Sequence, residues 1–326
     1  MWFLKAGVNG VCLFFCLSAY LITELLLREK ERTGSVHAGA FFVRRMLRIW
    51  PLYFLAIALA FTLGRFIPSL SMPMPAQPIP WMLALATNFY IARHGWERLG
   101  AALALWSLSV EEQFYLCIPM ITNLGGKRAL MFAGGSTVPF AYGALIWLGH
   151  IHASPNPQVW VNSLVQFQFF GAGTLLALYF HHREWALSAE KRIGLFLLGE
   201  GALAVEDALL RPHQVAPLSA MQLCLSYFVV LVGCLCIFLS FFGAKLRFPS
   251  PLIWLGRISY GLYVYHVFFL ILVYKHHGVW ITTGRLSLDL AALGLTVLTA
   301  AISYQFFEKP FLLFKQRFTF IKNAIP

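Results

Sequence analysis

The chain has 326 residues, of which 59% are hydrophobic and only 12% are charged. Soluble globular domains carry charge on about a quarter of their residues, so this composition excludes an ordinary soluble domain and indicates a polytopic membrane protein. The formal net charge of +12 is compatible with nucleic-acid binding. In a membrane protein, however, Lys and Arg accumulate on cytoplasmic loops, so we attribute the charge to topology and predict no nucleic-acid partner.

Apolar stretches of about 20 residues recur along the chain and predict an all-α bundle of about nine transmembrane helices, in a single domain over residues 1–326 with no soluble domain. A helix of that length rises by about 30 Å, the thickness of the hydrocarbon layer. The predicted crossings are approximately Gly7–Leu27, Ile49–Ile67, Leu103–Leu124, Ala129–Leu148, Trp160–Phe180, Ile193–Leu209, Met221–Phe242, Leu252–Tyr274 and Leu286–Phe307.

Two segments test this topology. Trp81–Ala92 is apolar but too short to cross, so we predict an interfacial or re-entrant segment there. Ile193–Leu209 carries three acidic residues, yet without this crossing the basic C-terminal tail would lie outside. A topology that includes this crossing puts most Lys and Arg residues on the cytoplasmic side, with the N-terminus outside and the C-terminus in the cytoplasm.

The cysteines and histidines predict no metal site and no bound cofactor. The six cysteines lie in apolar stretches without a CxxC pair, which is typical of small buried residues. The loop histidines lack the sequence spacing to carboxylates that marks a metal site. They are His150, His152, His181, His182, His276 and His277.

A basic stretch precedes the second predicted crossing, and we place its arginines in a cytoplasmic loop. On a helix, Arg44 and Arg45 would each share a face with Arg48, at spacings of four and three residues. Guanidinium groups at the cytoplasmic end of a helix are suited to bind phosphates through paired hydrogen bonds. The alternative is an anchor for lipid headgroups, and the spacing alone favours neither.

A pair of carboxylates, Glu111 and Glu112, lies in the stretch WSLSVEEQFY over Trp106–Tyr115, at the predicted outer end of the third crossing. Acidic groups near the hydrocarbon are costly and therefore mark candidate functional sites. One of the two is a candidate general base, or a group that orients a histidine. The alternative is that both face water at the membrane interface, where a glutamate costs little.

A third stretch, Trp254–His266, places polar residues inside a predicted crossing. Ser259, Tyr263 and His266 share one helical stripe. His266 is a candidate catalytic group, although a single histidine within a membrane is more often a hydrogen-bonded packing residue.

Together these stretches resemble the acyltransferase-3 family of bacterial membrane O-acyltransferases, and the resemblance covers nearly the whole chain. The matching segments occur in the family's order. They are Gly7–Ile22, which looks like the family's second helix, Arg44–Tyr53 (RRMLRIWPLY), Trp106–Tyr115, Gly256–His266 and Phe307–Phe311 (FEKPF). The resemblance adds Trp106, Ser107, Glu112, Tyr115, Ser259 and Tyr260 as motif residues beside Glu111 and His266.

The resemblance implies ten crossings with both ends in the cytoplasm, one more than the nine predicted here. The family's first helix, with an Arg and the histidine thought to be catalytic, has no counterpart before Gly7, and Cys12 stands where many members carry Asp. We therefore expect a chain that lacks the first helix of the family. A catalytically inactive or truncated family member is one alternative that follows from this expectation.

The implied reaction is transfer of an acyl group, usually acetyl, from a cytoplasmic acyl-CoA to a hydroxyl of an extracytoplasmic glycan or lipid-linked saccharide. Arg44, Arg45 and Arg48 would bind the donor, and Glu111 or His266 would act as base, in a multi-pass protein of the bacterial inner membrane. The remaining alternative is a transporter of a sugar or lipid, which would require broken helices near the midplane, ideally in paired halves.

Overall fold

The protein is described by a computed structural model, which covers residues 2–66, 74–96, 99–151, 157–210, 218–278 and 285–318. These residues form helices and connecting turns and contain no strand, which confirms the all-α prediction. The helices are α1 Trp2–Thr33, α2 Ala38–Phe66, α3 Ile79–Leu83, α4 Thr87–His94, α5 Trp106–His150, α6 Pro157–Trp160, α7 Ser163–Phe180, α8 Ala189–Val205, α9 Ala220–Phe241, α10 Ser250–Arg257, α11 Ser259–His276, α12 Leu286–Ser303 and α13 Lys309–Lys315.

Within the described residues, six helical segments are long and apolar enough to cross a membrane, or seven if α10 and α11, which meet at a bend of 73°, form one broken span. The predicted count of nine differs for two reasons. Helix α5 has 45 residues and merges two predicted crossings, although Gly126 breaks its helical geometry with φ 54° and ψ −141°. Helix α8 has only 17 residues, or about 26 Å. The number of crossings therefore stays a prediction.

The boundaries of the first helices correct the placement of the basic residues. Helix α1 continues to Thr33 and α2 begins at Ala38, so the connection between them is only a few residues long. Arg44, Arg45 and Arg48 therefore lie within the first turns of α2 and not in a loop. Hydropathy places the start of a helix at its first apolar residue, whereas the hydrogen-bonded helix extends beyond the hydrocarbon.

The segment predicted to be interfacial or re-entrant, Trp81–Ala92, falls into two short helices. Helix α3 ends at Leu83 and α4 begins at Thr87. The turn between them includes Leu85 in a left-handed conformation with φ 55°. Neither helix is long enough to span the hydrocarbon.

The chain forms two compact units. Unit 1 comprises the described residues that fall within 2–36 and 110–246, and unit 2 comprises those that fall within 37–109 and 247–318. Unit 1 therefore contains α1, most of α5 and α6 to α9. Unit 2 contains α2 to α4, the first residues of α5 and α10 to α13.

In unit 1, α1 and α7 pack side by side in parallel. Phe15 stacks on Phe170 with ring centroids 4.5 Å apart, and further along both helices Glu24 meets His181. The helices approach closely because α7 has a glycine at the contact: a Cβ on Gly173 would lie 2.1 Å from the carbonyl oxygen of Cys16. Small residues at such crossings are typical of membrane helix pairs, where packing replaces the hydrophobic effect.

One acidic residue that weakened the prediction of the crossing near α8 has a structural explanation. Glu206, just after α8, is fully buried within the protein. It accepts hydrogen bonds of 3.1 Å from Asn9 of α1 and from Ser226 of α9. The carboxylate is thus satisfied by protein groups and does not face lipid.

In unit 2, α11 packs against α12, and the chain then returns to α2. Gly261 of α11 allows this, since a Cβ there would lie 3.1 Å from the Cβ of Ala300. Tyr265 donates to Ser303, which donates to Glu308 at 3.2 Å. After this turn α13 runs along α2, where the guanidinium of Arg44 donates to the carbonyl of Phe318 at 2.8 Å.

Candidate active site

The Glu111 carboxylate lies at the centre of a buried polar cluster in unit 1. Glu111 as a whole is 2% exposed. The hydroxyls of Ser18, from α1, and Tyr115, one turn along α5, both donate to the same carboxylate oxygen, Oε1. The two hydroxyl oxygens are themselves 2.8 Å apart. Three oxygens in mutual contact form a route along which a proton can move, with the carboxylate as its acceptor.

Glu112 is also buried, at 8% exposure. Both neighbouring carboxylates are therefore enclosed by protein, and the alternative that the pair faces water at the membrane interface is wrong. Burying two adjacent carboxylates is costly, which strengthens the case that this part of α5 serves a function.

The predicted arginines form part of a basic cluster in unit 2. Arg44 and Arg45 are half-buried and Arg48 is exposed. Arg44 is held by the carbonyl of Phe318, and the guanidinium of Arg45 lies 5.6 Å from the ring centroid of Phe41. The cluster gains Lys315 of α13, which interacts electrostatically with all three arginines.

This basic cluster concentrates four positive side chains, while one carboxylate, that of Glu308, interacts electrostatically with Arg48. Like charges held together repel one another and lower the free energy of a bound anion. The cluster thus provides a site where phosphate oxygens can accept hydrogen bonds from several directions, from the exposed Arg48 and from the more enclosed Arg44 and Arg45.

The second and third sequence motifs meet in unit 2. The hydroxyls of Ser107 and Tyr263 are 2.5 Å apart, and both lie within hydrogen-bond distance of the carbonyl oxygen of Ala104. One hydroxyl donates to this carbonyl and the other donates to the first hydroxyl. The ring of Trp106 packs edge-on against Trp96, with centroids 6.3 Å apart. Ser107 and Trp106 therefore fix the start of α5 against its surroundings.

One ring nitrogen of His266 makes a hydrogen bond, and the other can act as a base. Its Nδ1 lies 2.5 Å from the carbonyl oxygen of Tyr263, which only a protonated Nδ1 can bond. In the neutral imidazole Nε2 then carries the lone pair and can accept a proton. The Tyr263 and His266 rings lie 5.6 Å apart, so two members of the predicted stripe are together.

The remaining motif residues have different surroundings. Ser259 is the first residue of α11, directly after the bend, and is exposed on the surface of the protein; its position inside the crossing stays a prediction. Tyr260 donates to the carbonyl of Ile49 at 2.7 Å and so joins α11 to α2 next to Arg48. It positions the helix that carries the arginines.

The predicted site residues divide between the units. Glu111, Glu112 and Tyr115 belong to unit 1, whereas the arginines, Trp106, Ser107, Ser259, Tyr260 and His266 belong to unit 2. Sequence reasoning missed Ser18 and Lys315. Ser18 was visible as a polar residue in an apolar stretch, while Lys315 had no signal that separated it from the other basic residues of the tail.

Comparison with known proteins agrees with these motifs. A family model described as an acyltransferase domain matches residues 2–305. The O-acetyltransferase OatA of Staphylococcus aureus (strain NCTC 8325 / PS 47) is 27% identical over 326 aligned residues, which cover 94% of this chain and 53% of that protein. A putative O-acetyltransferase of Staphylococcus aureus (strain COL) is 24% identical over 342 aligned residues, with the same coverage of each chain.

The chain thus spans about half the length of the curated relatives that it matches. No solved structure matches it. The family model covers far more than half of the chain, and the motifs that carried the resemblance fall inside the matched residues, except Phe307–Phe311, which follows directly after them. The protein is therefore a multi-pass membrane member of the acyltransferase-3 family.

Proposed function

We propose that the protein is a membrane O-acetyltransferase, which moves an acetyl group from cytoplasmic acetyl-CoA to a hydroxyl of an extracytoplasmic glycan or lipid-linked saccharide across the bacterial inner membrane. The observation that carries the proposal is the buried Glu111 carboxylate, bound by two hydroxyls within a helix long and apolar enough to cross a membrane. The family match and the relatives named O-acetyltransferase support the reaction class.

The donor would bind at the basic cluster of Arg44, Arg45, Arg48 and Lys315. Coenzyme A carries a diphosphate and a further phosphate, and guanidinium groups bind such oxygens in pairs. Arg44 is already oriented by the carbonyl of Phe318, so little side-chain freedom is lost when a phosphate binds. The positive-inside rule supports a cytoplasmic position for this end of α2, on the side where acyl-CoA is available.

The transfer itself joins the acceptor oxygen to the carbonyl carbon of the thioester and breaks the carbon–sulfur bond. The acceptor hydroxyl gives its proton to a base, and the coenzyme A thiolate leaves and takes up a proton. Two groups have the chemistry of the base: the Glu111 carboxylate and Nε2 of His266. A positioned base contributes about 10²–10⁴-fold to the rate.

The donor site is tested with the purified chain in liposomes, by measuring release of free coenzyme A thiol from acetyl-CoA in the presence of a panel of cell-envelope polysaccharides. We expect Arg48→Ala to raise the KM for acetyl-CoA about tenfold to a hundredfold, because a hydrogen bond to a charged group is worth about 1.5–3 kcal/mol. The KM for the polysaccharide should change little.

Arg257→Ala is the matched control, since Arg257 is an exposed arginine of the same unit at the end of α10. It should leave both KM values unchanged. An unchanged KM in Arg48→Ala, or an equal rise in both variants, contradicts the donor site. Poor membrane insertion of Arg48→Ala with a normal KM would instead support the lipid-anchor alternative.

One observation favours a second candidate function, a transporter. Helices α10 and α11 meet at a bend of 73°, and broken helices line substrate sites in many transporters. In the described residues this is one bent pair, without a matching pair elsewhere. Uptake of a sugar into vesicles that is indifferent to acetyl-CoA would support this function and contradict the proposed transfer.

A further inference from the structure

Two histidines and a glutamate from distant parts of the chain meet in unit 1, away from the cluster around Glu111. His181 and His182 follow the end of α7, and Glu31 lies in the last turns of α1. One ligand atom from each lies within 4.8 Å of the other two. We propose that Glu31, His181 and His182 form a binding site for a divalent transition-metal ion such as Zn²⁺, a site independent of the proposed acetyl transfer.

The geometry is close to that of a bound site. His181 Nε2 lies 2.7 Å from one Glu31 oxygen, and His182 Nε2 lies 2.8 Å from the other. With metal–ligand bonds of about 2.0–2.1 Å, ligand atoms in a tetrahedral site are about 3.3 Å apart. The ligands therefore need to separate by about half an ångström to admit an ion.

The surroundings of His181 match those of a metal ligand. His181 is 2% exposed at its side chain, and its Nδ1 lies 2.8 Å from Oε2 of Glu24. A carboxylate on one ring nitrogen fixes the tautomer and leaves the other nitrogen free for a metal, which is the common arrangement around zinc. Arg28 holds the other oxygen of Glu24 at 2.6 Å, so this second carboxylate is itself oriented.

The backbone brings the second imidazole to the same point. His182 has φ 61°, a left-handed conformation that is uncommon for a residue other than glycine. Its ring centroid is 4.0 Å from that of His181, and both rings contact Glu31. Adjacent histidines in a regular helix would diverge by about 100° around the axis, so the end of the helix at this point is what lets both rings converge.

The ligand set selects the class of ion. Two imidazoles and one carboxylate suit Zn²⁺, Co²⁺ or Ni²⁺, whereas Mg²⁺ and Ca²⁺ require mainly oxygen ligands. Three protein ligands leave a fourth position, and the side chain of His182, 66% exposed, keeps that position accessible to water. The ion would replace the ammonium of Lys127, which now lies 3.1 Å from Glu31 and whose side chain is 55% exposed, so it can turn towards water.

The bound ion would join the end of α1 to the end of α7. Without metal, the ring of His181 lies between the carboxylates of Glu24 and Glu31, at 2.8 Å and 2.7 Å. With metal, Glu31 and both imidazoles would be joined through the ion. An ion that binds the folded chain and not the unfolded chain would raise the thermal stability of the protein.

The test uses the full chain, purified in detergent through a tag that contains no histidine and stripped with a chelator. Zn²⁺ binding is counted by elemental analysis after dialysis, and Co²⁺ is added to record the visible absorption of a tetrahedral site. We expect one tightly bound ion per chain and a higher Tm with Zn²⁺. His182→Ala and Glu31→Gln should each weaken binding at least tenfold, and Glu24→Gln by about 10–100-fold.

His276→Ala is the matched control. His276 and His277 are another adjacent and exposed histidine pair, with ring centroids 5.4 Å apart. In the described residues they have no carboxylate grouped with them as Glu31 is with His181. This variant should bind Zn²⁺ as the parent chain does.

Three outcomes would overturn the proposal: no more Zn²⁺ on the parent chain than on His182→Ala, an equal loss of binding in His276→Ala, or a Co²⁺ spectrum that indicates octahedral hydration. Because His182 is largely exposed, its substitution should not prevent folding. The gel-filtration profile confirms this before metal is added.

Discussion

Glu111 and Glu31 belong to the same unit and each is bound by side chains from neighbouring helices, yet their partners differ in charge. Glu111 is 2% exposed and is bound by the neutral hydroxyls of Ser18 and Tyr115. Glu31 is 38% exposed at its side chain and is bound by two imidazoles and the ammonium of Lys127. Helix α1 contributes to both groups, since it carries Ser18 and Glu31.

The difference indicates two separate uses of a carboxylate in one bundle. The hydroxyl partners of Glu111 offer a route for a proton, which suits a base. The ammonium of Lys127 offsets the charge of Glu31, and the two imidazoles hold α1 against the end of α7, which suits a structural or metal-binding role. Variants of each should therefore affect different measurements.

The largest effect is expected from Glu111→Gln. Glutamine retains the size of the side chain and can still accept hydrogen bonds from Ser18 and Tyr115, but it cannot take a proton. We expect kcat for acetyl transfer to fall by about 10²–10⁴-fold, while the Tm and the gel-filtration profile stay those of the parent chain. The same coenzyme A release assay measures it.

Glu184→Gln is the control, because Glu184 is exposed in the connection after α7 and should leave kcat unchanged. Ser18→Ala and Tyr115→Phe keep the carboxylate and remove one hydroxyl each, so smaller losses of about tenfold are expected. Full activity in Glu111→Gln would rule out this carboxylate as the base and leave His266.

The second comparison is between Glu24→Gln and Glu31→Gln in chelator-treated protein. Glu24 is buried, and its replacement removes the carboxylate that contacts His181 and Arg28. Breaking such a buried pair costs about 3 kcal/mol. Glu31 is partly exposed, so solvent screens its ion pairs and we expect a loss of about 1 kcal/mol. Denaturation in detergent measures both, and equal losses would show that exposure does not set the difference.

Sequence patterns predicted the features that depend on local spacing. The apolar stretches predicted the all-α membrane fold. The contact between Glu111 and Tyr115 was not predicted, although their four-residue spacing is one that brings side chains together on a helix face. The common face of the arginines likewise follows from their spacing in α2. What failed was the boundary of the helix, because hydropathy cannot show how far a helix extends beyond its apolar part.

Contacts between segments that are far apart along the chain leave no such pattern in the sequence. Ser18 and Glu111 are 93 residues apart, and Glu31 and His181 are 150 residues apart. The prediction of no metal site rested on the spacing of histidines and carboxylates along the sequence, which does not register ligands brought together by the parallel packing of α1 and α7. Helix packing has to be known before such a cluster can be recognised.

The parallel packing of α1 and α7 underlies both regions, and Gly173→Ala tests it. The added Cβ would lie 2.1 Å from the carbonyl of Cys16 and 2.9 Å from the Cβ of Ala19, both of which are fixed to the α1 backbone. The two helices must therefore separate, at a cost of about 1–3 kcal/mol. Gly10→Ala is the control, since a Cβ there meets nothing within 4 Å, and it should leave the Tm unchanged or slightly higher.

Gly173→Ala should also change both functional readouts, unlike the carboxylate variants. Ser18 precedes Ala19 on α1, so a displaced helix moves its hydroxyl relative to Glu111, and kcat should fall together with the Tm. The same displacement separates Glu31 from His181 and should weaken Zn²⁺ binding. If Gly173→Ala lowered the Tm while kcat and Zn²⁺ affinity stayed those of the parent chain, the two regions would not depend on this helix contact.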